Sequence, residues 1–345
     1  MNLVNKPGGL VAQPRGISQP NRTRLAFKIL IWLLAPLVVW WSIKDISLSA
    51  ISENFRLIGL QAIFLMIGIN VLIFILISLR WWMILRAQGT QVSLISVTGY
   101  RLAGFGVTYF TPGPQFGGEP LQVYLLKERE GIPISPAATS VTIDKLLELL
   151  ANFSFLLVGV SVLVFSGILN TGNRSELILF PVLLLAIPII YLLGLRFGHL
   201  PVSSSLGKFE KYFSRSTRYE RGIETVRHTE SMVSEFCRHN VKVLLAGAVL
   251  SVGIWALMVF EFGLMLSFLG VQFNLVQVLI ALTAARIAFL LPIPAGLGTL
   301  EAGQVMAMGL IGVNPAIGIS LSLLIRARDV LFGGAGLWLG SLYNR

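Results

Sequence analysis

Eight charged side chains stand inside stretches that are otherwise apolar: Arg101, Asp144, Lys145, Glu148, Arg286, Arg326, Arg328 and Asp329. A charge within hydrocarbon costs roughly 2.5 to 3.5 kcal/mol on insertion scales, so facing lipid the set would cost on the order of 20 kcal/mol. They must therefore face one another or water. Lys145 with Glu148, and Arg326 with Asp329, stand at i,i+3 on one helix face, where each pair could simply neutralise itself and lock a bundle. The surplus of cations, Arg101, Arg286 and Arg328, points further, to positive charge available for an anion, and arginine forks grip phosphate in bidentate fashion.

A second ingredient lies in two runs rich in proline and glycine, Thr111-Pro-Gly-Pro-Gln-Phe-Gly-Gly-Glu119 and Pro292-Ile-Pro-Ala-Gly-Leu-Gly-Thr-Leu-Glu301. No straight helix continues through either. A helix that begins inside the membrane at Gly117 or Gly296, with Gly118 and Gly298 beside them, leaves backbone N–H groups for phosphate or carboxylate. Glu119 and Glu301 then either cap those starts or exchange protons while a head group passes. Glu261, alone in its apolar run, reads as a partner for one of the arginines, and Trp81 and Trp82 read as interface anchors.

The elements that must position these residues are membrane helices. The chain has 345 residues, 55% hydrophobic and 12% charged, with a mean hydropathy of +0.79; a soluble domain carries about 25% charged residues. Apolar stretches at Leu25 to Ile43, Gly59 to Leu79, Leu177 to Leu195 and Val241 to Gly270 reach the roughly 20 residues that cross a bilayer as helix. Pro133 to Ser166 is too long for one perpendicular span and carries charges in its first half, which suggests a break or a re-entrant half-helix there. Residues 1–24 read as a disordered tail, cytoplasmic by its Lys6, Arg15, Arg22 and Arg24. Asp45 to Leu57 reads as interfacial. From Arg196 to Lys242 nine Lys/Arg stand against five Asp/Glu, with apolar residues near helical spacing, so that an amphipathic cytoplasmic connector over about 198–240 is expected on the membrane surface. The net charge of +11 sits in tail and loops, a pattern of orientation and lipid contact rather than nucleic-acid binding. One cysteine, Cys237, excludes an intrachain disulfide, and His199, His228 and His239 share no metal-ligand spacing with it, so neither metal nor other cofactor is expected.

The motifs recur. Thr111-Pro-Gly-Pro, Gly118-Glu119, Gly131-Ile-Pro133 and Lys145-Leu-Leu-Glu148 have counterparts roughly 181 residues on in Pro292-Ile-Pro294, Leu300-Glu301, Gly312-Val-Asn-Pro315 and Arg326-Ala-Arg-Asp329. The expected architecture is all-α: a polytopic bundle of about eight spans plus broken or re-entrant helices in a single domain over 25–345, with two internal repeats at about 59–166 and 241–343. Keeping the basic connector cytoplasmic needs an odd number of extra crossings in the proline-rich region, which would make the repeats inverted.

On Arg80-Trp-Trp82, Pro112 to Glu119 with Leu121 and Leu125-Leu126, Gly131-Ile-Pro133, Ala137 to Glu148, Arg286 to Glu301 and Arg326 to Asp329, the chain resembles the lysylphosphatidylglycerol synthase transmembrane-region family. This is the flippase-like membrane domain also found at the N-terminus of bacterial multiple peptide resistance factors. The resemblance covers nearly the whole chain after the tail. It implies a translocator of a phospholipid or lipid-linked intermediate with an anionic or amphoteric head group, in the bacterial inner membrane, and is compatible with a homo-oligomer. The chain stops at Arg345 without an appended synthase domain, so the synthase activity of the family name is not expected. One departure is the lack of a basic residue between the Pro-Gly and Gly-Glu parts of the first motif.

The site expected on these grounds comprises Arg101, Gly117, Gly118, Glu119, Lys145, Glu148, Arg286, Gly296, Gly298, Glu301, Arg326, Arg328 and Asp329. The alternatives are a membrane enzyme or enzyme subunit performing glycosyl or aminoacyl transfer on a lipid-linked substrate, and a scaffold that only recruits partners. No nucleotide-binding loop, nucleophile elbow or zinc-hydrolase motif is present to favour a familiar hydrolase.

Overall fold

The computed structural model describes residues 58–111, 116–168, 174–206 and 217–343. The tail, the first apolar stretch, the interfacial segment to Leu57 and residues 112–115 of the first proline-glycine run lie outside them. Among the described residues the regular elements are helical: α1 Leu60–Ala87, α2 Leu94–Phe110, α3 Glu119–Glu130, α4 Ile134–Phe165, α5 Arg174–Arg196, α6 Thr217–His239, α7 Val241–Phe268, α8 Leu275–Leu290, α9 Thr299–Leu310 and α10 Pro315–Leu342. Four of these, α1, α4, α5 and α7, are long and apolar enough to cross a membrane. The chain is a helical membrane protein; α10 has the length of a span but carries Arg326, Arg328 and Asp329.

Local chemistry sets the helix ends. Ser93 accepts the Ser96 N–H at 3.0 Å to start α2. Asn274 and Gln277 form a reciprocal capping box at α8, 2.9 Å each way, and Asn314 caps α10 just ahead of Pro315. Gly131, at φ 67°, ends α3 in the left-handed conformation that glycine adopts freely.

Two pairs of short helices form hairpins. Tyr100 donates to Glu130 at 2.7 Å and the Gly118 N–H to Thr108 at 2.9 Å, so α3 returns along α2. Likewise the Gln304 carboxamide donates to the Ala281 carbonyl at 2.9 Å, and Thr299 to the Ala288 carbonyl at 3.3 Å, so α9 returns along α8. Between the hairpins α1 and α7 cross antiparallel: Arg80 meets Ser251 and Asn70 meets Glu261, partners whose numbers sum to 331 in both cases (80 + 251 and 70 + 261).

Each hairpin packs on a long helix from the other part of the chain, α2 on α10 and α8 on α4. Glycines allow the approach, as expected where helices must touch without a hydrophobic drive. A methyl at Gly336 would stand 2.0 Å from the Leu102 carbonyl oxygen, one at Gly106 2.6 Å from that of Gly333, and one at Gly159 1.8 Å from the Thr283 hydroxyl. Backbone cannot give way as a side chain can, so Gly336→Ala should separate α10 from α2 and cost at least about 1–3 kcal/mol. Gly334→Ala, with nothing within 4 Å, serves as control; the check is the melting temperature of each variant in detergent, where only the first should fall.

Three expectations are corrected. The run from Pro133 to Ser166 is one unbroken helix of 32 residues; its charges find partners on α1, α2 and the α3 hairpin, and its length, about 48 Å at 1.5 Å per residue, extends beyond a bilayer core along α6. The apolar face of α6 does not lie open to a membrane surface: Val233, Phe236 and Cys237 are buried against Ile143, Leu146, Leu147 and Leu195. Burial pushes the Cys237 thiol up to about 11, so it stays neutral at cellular pH. Trp81 is no interface anchor either, being fully buried with its indole N–H donating to Ser140 at 3.2 Å.

Candidate functional site

The hairpin tips and the flanks of α1, α4, α7 and α10 enclose a cavity of about 280 Å³, lined among others by Arg80, Arg101, Glu119, Gln122, Lys145, Glu148, Glu261, Arg286, Gly296, Arg328 and Asp329. Arg326 and Glu301 stand directly behind the second tip.

In the first half of the chain one acid organises the charges. Asp144, with its side chain 1% exposed, takes Arg80 Nε on Oδ1 at 2.7 Å and Arg101 Nη2 on Oδ2 at 2.6 Å. Arg80 also donates to Ser251 at 2.9 Å. Glu148 continues the chain, 3.5 Å from Arg101 and 2.9 Å from Lys145, whose ammonium also meets Glu119 Oε1 at 3.0 Å. The other Glu119 oxygen accepts the Gly117 N–H at 2.8 Å.

The second half repeats the arrangement with charges exchanged between elements. Glu261 on α7 takes Arg328 on α10 at 2.9 Å and the Asn70 carboxamide at 2.6 Å, while Arg328 also holds Asp329 at 2.9 Å. Glu301 accepts the Gly298 N–H at 2.9 Å and is clasped by Arg326 through Nε and Nη2. The same guanidinium donates to the carbonyls of Ala295 and Gly296, 3.0 Å each.

Of the thirteen expected residues, Arg101, Glu119, Lys145, Glu148, Arg286, Gly296, Arg328 and Asp329 line the cavity, while Gly117, Gly118, Gly298, Glu301 and Arg326 stand behind it, and two roles change. The helices start at Glu119 and Thr299, and the glycine N–H groups are already used: Gly117 by Glu119, Gly118 by Thr108, Gly298 by Glu301 and Gly296 by the Ile293 carbonyl. They are therefore not free anion donors, and Glu119 and Glu301 do the capping. The cation surplus also shrinks, because among the described residues the cluster sets Arg80, Arg101, Lys145, Arg286, Arg326 and Arg328 beside Glu119, Asp144, Glu148, Glu261, Glu301 and Asp329, six of each sign, and five of the six cations are paired.

Arg286 is the exception within this balance. Among the described residues its Nη2 reaches only the Met258 sulfur, at 3.1 Å; its guanidinium lies 4.6 Å over the Trp255 ring; and its buried Nε has no hydrogen-bond partner among them. A thioether and an indole face are weak company for a cation.

Sequence reasoning missed four contributors. Arg80, beside two tryptophans at the end of a span, reads as an interface anchor yet is 3% exposed. Asn70 and Ser251 carry no charge to mark them. Gln122, 5% exposed and lining the cavity, had a readable signal: Glu119-Pro-Leu-Gln122 recurs as Glu301-Ala-Gly-Gln304.

Comparison with known proteins finds membrane proteins. The family model described as "Lysylphosphatidylglycerol synthase TM region" matches residues 26–335. Two UPF0104 membrane proteins of Methanothermobacter thermautotrophicus are similar to the chain, one 23% identical over 74% of this chain and 77% of its own, the other 27% identical over 71% and 73%. A UPF0104 membrane protein of Methanocaldococcus jannaschii is 21% identical over 75% and 77%.

Proposed function

The chain belongs to the Lysylphosphatidylglycerol synthase TM region family, and from that premise we propose that it translocates a phospholipid or lipid-linked intermediate between membrane leaflets. The observation that carries this reading is a cavity of head-group size lined by five cations and four acids, with Asp144, Glu301 and Arg326 behind them completing a balanced set. Ligand pockets for drug-sized molecules run from about 300 to 1,000 Å³, so 280 Å³ suits a polar head group whose acyl chains stay in the bilayer. Twelve ionisable side chains are costly to keep within a membrane even when paired and commonly mark a substrate path, and the near balance of acids and bases favours an amphoteric head group over a strongly anionic one.

The helix bounds support a two-state carrier. α1, α2 and α4 begin at 60, 94 and 134, and α7, α8 and α10 at 241, 275 and 315, an offset of 181 each time, while the matched α1 and α7 run antiparallel. Read as inverted repeats with re-entrant hairpins at their centre, the halves would exchange roles as the cavity opens to one side and then the other. The setting is the cytoplasmic membrane, with the tail and α6 inside by their basic charge.

The test is leaflet translocation in proteoliposomes with fluorescent phosphatidylethanolamine, phosphatidylglycerol and diacylglycerol. Protein-dependent movement of the phospholipids is expected. Movement no faster than in empty liposomes, with folded protein, would overturn the reading, and a chemically converted lipid would replace it with the transferase alternative.

A further inference from the structure

We propose that the cavity reads its head group at two poles, with Arg286 taking a phosphate and the Gln122 carbonyl oxygen taking a hydroxyl or primary ammonium donor. The inference rests on the translocator reading and adds the class of head group: a phosphate ester that carries its own hydrogen-bond donors.

Among the described residues every other cation lining the cavity lies within 3.0 Å of a carboxylate, whereas Arg286 is in contact with only sulfur and an aromatic face, with its Nε buried and unpaired. A guanidinium left so is the strongest unmet donor in the cavity wall, and phosphate oxygens match its fork. Among the neutral groups, the Gln122 Oε1 is buried without a partner on a side chain only 5% exposed. A buried carbonyl oxygen with nothing to accept costs about 1–3 kcal/mol, and a substrate hydroxyl or N–H would recover it.

The chain has made room for this glutamine. A methyl on Gly104 would lie 2.5 Å from Gln122 Nε2, so the carboxamide fills the space that the missing side chain of α2 vacates. Gln304, at the matching place on α9, is fully buried and spends its amide on the Ala281 carbonyl while its Oε1 is likewise unpaired, but it does not line the cavity. The reading pole is therefore in the first half of the chain and the phosphate pole in the second, on one cavity.

Phosphatidylethanolamine and phosphatidylcholine separate donor from charge, because both end in a cation but only the first has N–H groups. Calorimetric titration of the full chain in detergent with dihexanoyl forms of these two and of phosphatidylglycerol should show the ethanolamine and glycerol lipids binding at least about tenfold tighter than choline, the worth of one buried hydrogen bond. Gln122→Met should bring them down to the choline level and leave choline unchanged. Arg286→Gln should weaken all three by at least tenfold and keep their ratio. Where Gln122→Met does not fold, Gly104→Ala, which displaces the carboxamide, should give the same loss of preference.

Equal binding of choline and ethanolamine lipids to the wild type, or undiminished binding to Arg286→Gln, overturns the proposal. Glycerophosphoethanolamine, the same head group without acyl chains, should bind far more weakly; equal binding would uphold the two poles and overturn the lipid reading. Selective binding without translocation would do likewise, and translocation indifferent to head group would sink the poles alone.

Discussion

Asp144→Ala is expected to cost about 3–5 kcal/mol, the penalty for stranding buried charges by deleting their common partner. The acid is fully buried and joins Arg80 and Arg101 through separate oxygens at 2.7 and 2.6 Å. Its removal leaves Arg80, itself 3% exposed, with Ser251 and a backbone carbonyl only. Arg101 retains a 3.5 Å contact to Glu148. Membrane domains with a stability margin of this order should lose most of their folded yield, seen as a collapsed monodisperse peak in detergent chromatography or a sharply lower melting temperature. The double variant Asp144→Ala with Arg80→Leu isolates the cause, since it removes the more deeply buried of the two stranded cations. Partial recovery in the double variant is the expected result. A single variant as stable as wild type would mean that water reaches Arg80 and Arg101 freely, and the cavity would then be a solvated channel rather than a lock of paired charges.

Which parts of this arrangement could be read from the sequence follows from what each part depends on. Charged residues in apolar runs had to converge because lipid would not tolerate them separately, and Arg101, Lys145, Glu148, Arg286, Arg328 and Asp329 do meet around one cavity. The proline-glycine runs had to interrupt helices, and α2 ends at Phe110 with α3 starting at Glu119, as α8 ends at Leu290 with α9 starting at Thr299. What was not legible depends on contacts between distant residues. Arg80 looks like any arginine at the end of a span until Asp144 is seen opposite it, and Trp81 like any interface tryptophan until Ser140 takes its indole. The fate of the glycine N–H groups was a matter of two carboxylate rotamers. The break foreseen in α4 failed for a related reason: charges in its first half signal an interrupted helix only if they lack partners, and partners come from α1, α2 and α3.

The crossing of α1 and α7 shows how matched positions can differ in chemistry and still serve one geometry. Arg80 and Glu261 stand 181 residues apart, as do Asn70 and Ser251, and each charged residue bonds the neutral one of the opposite helix. The charged residue then pairs on the adjacent long helix, Arg80 with Asp144 on α4 and Glu261 with Arg328 on α10. Opposite signs at equivalent places keep the midline neutral, whereas two arginines or two glutamates there would repel across a dry interface. The pairing thus supports an electrically balanced carrier, and it leaves Arg286 as the place where a substrate's charge would be felt.

Glu301→Gln is expected to lower translocation at least tenfold while the protein stays folded. The loss has a specific origin at the second tip. Ala295 sits at φ 51°, a left-handed conformation that costs an L residue roughly 1–2 kcal/mol, and Gly296 and Gly298 follow at φ 60° and 80°. Arg326 holds this strained turn by the Ala295 and Gly296 carbonyls, and Glu301 holds Arg326. The amide can still accept the Gly298 N–H, so the helix start survives; what goes is the charge that fixes the guanidinium, worth about 1.5–3 kcal/mol for a hydrogen bond to an ionised group. That is comparable to the strain, so the tip should relax into several conformations and cease to close the cavity. Arg326→Lys tests the same link from the other side, keeping the charge but losing the fork that spans both carbonyls, and should be nearly as impaired. The measurement is the translocation rate in proteoliposomes beside the melting temperature of each variant. Full activity in both would show that the tip's conformation does not govern passage, and the moving part would have to be sought at α1 and α7 instead.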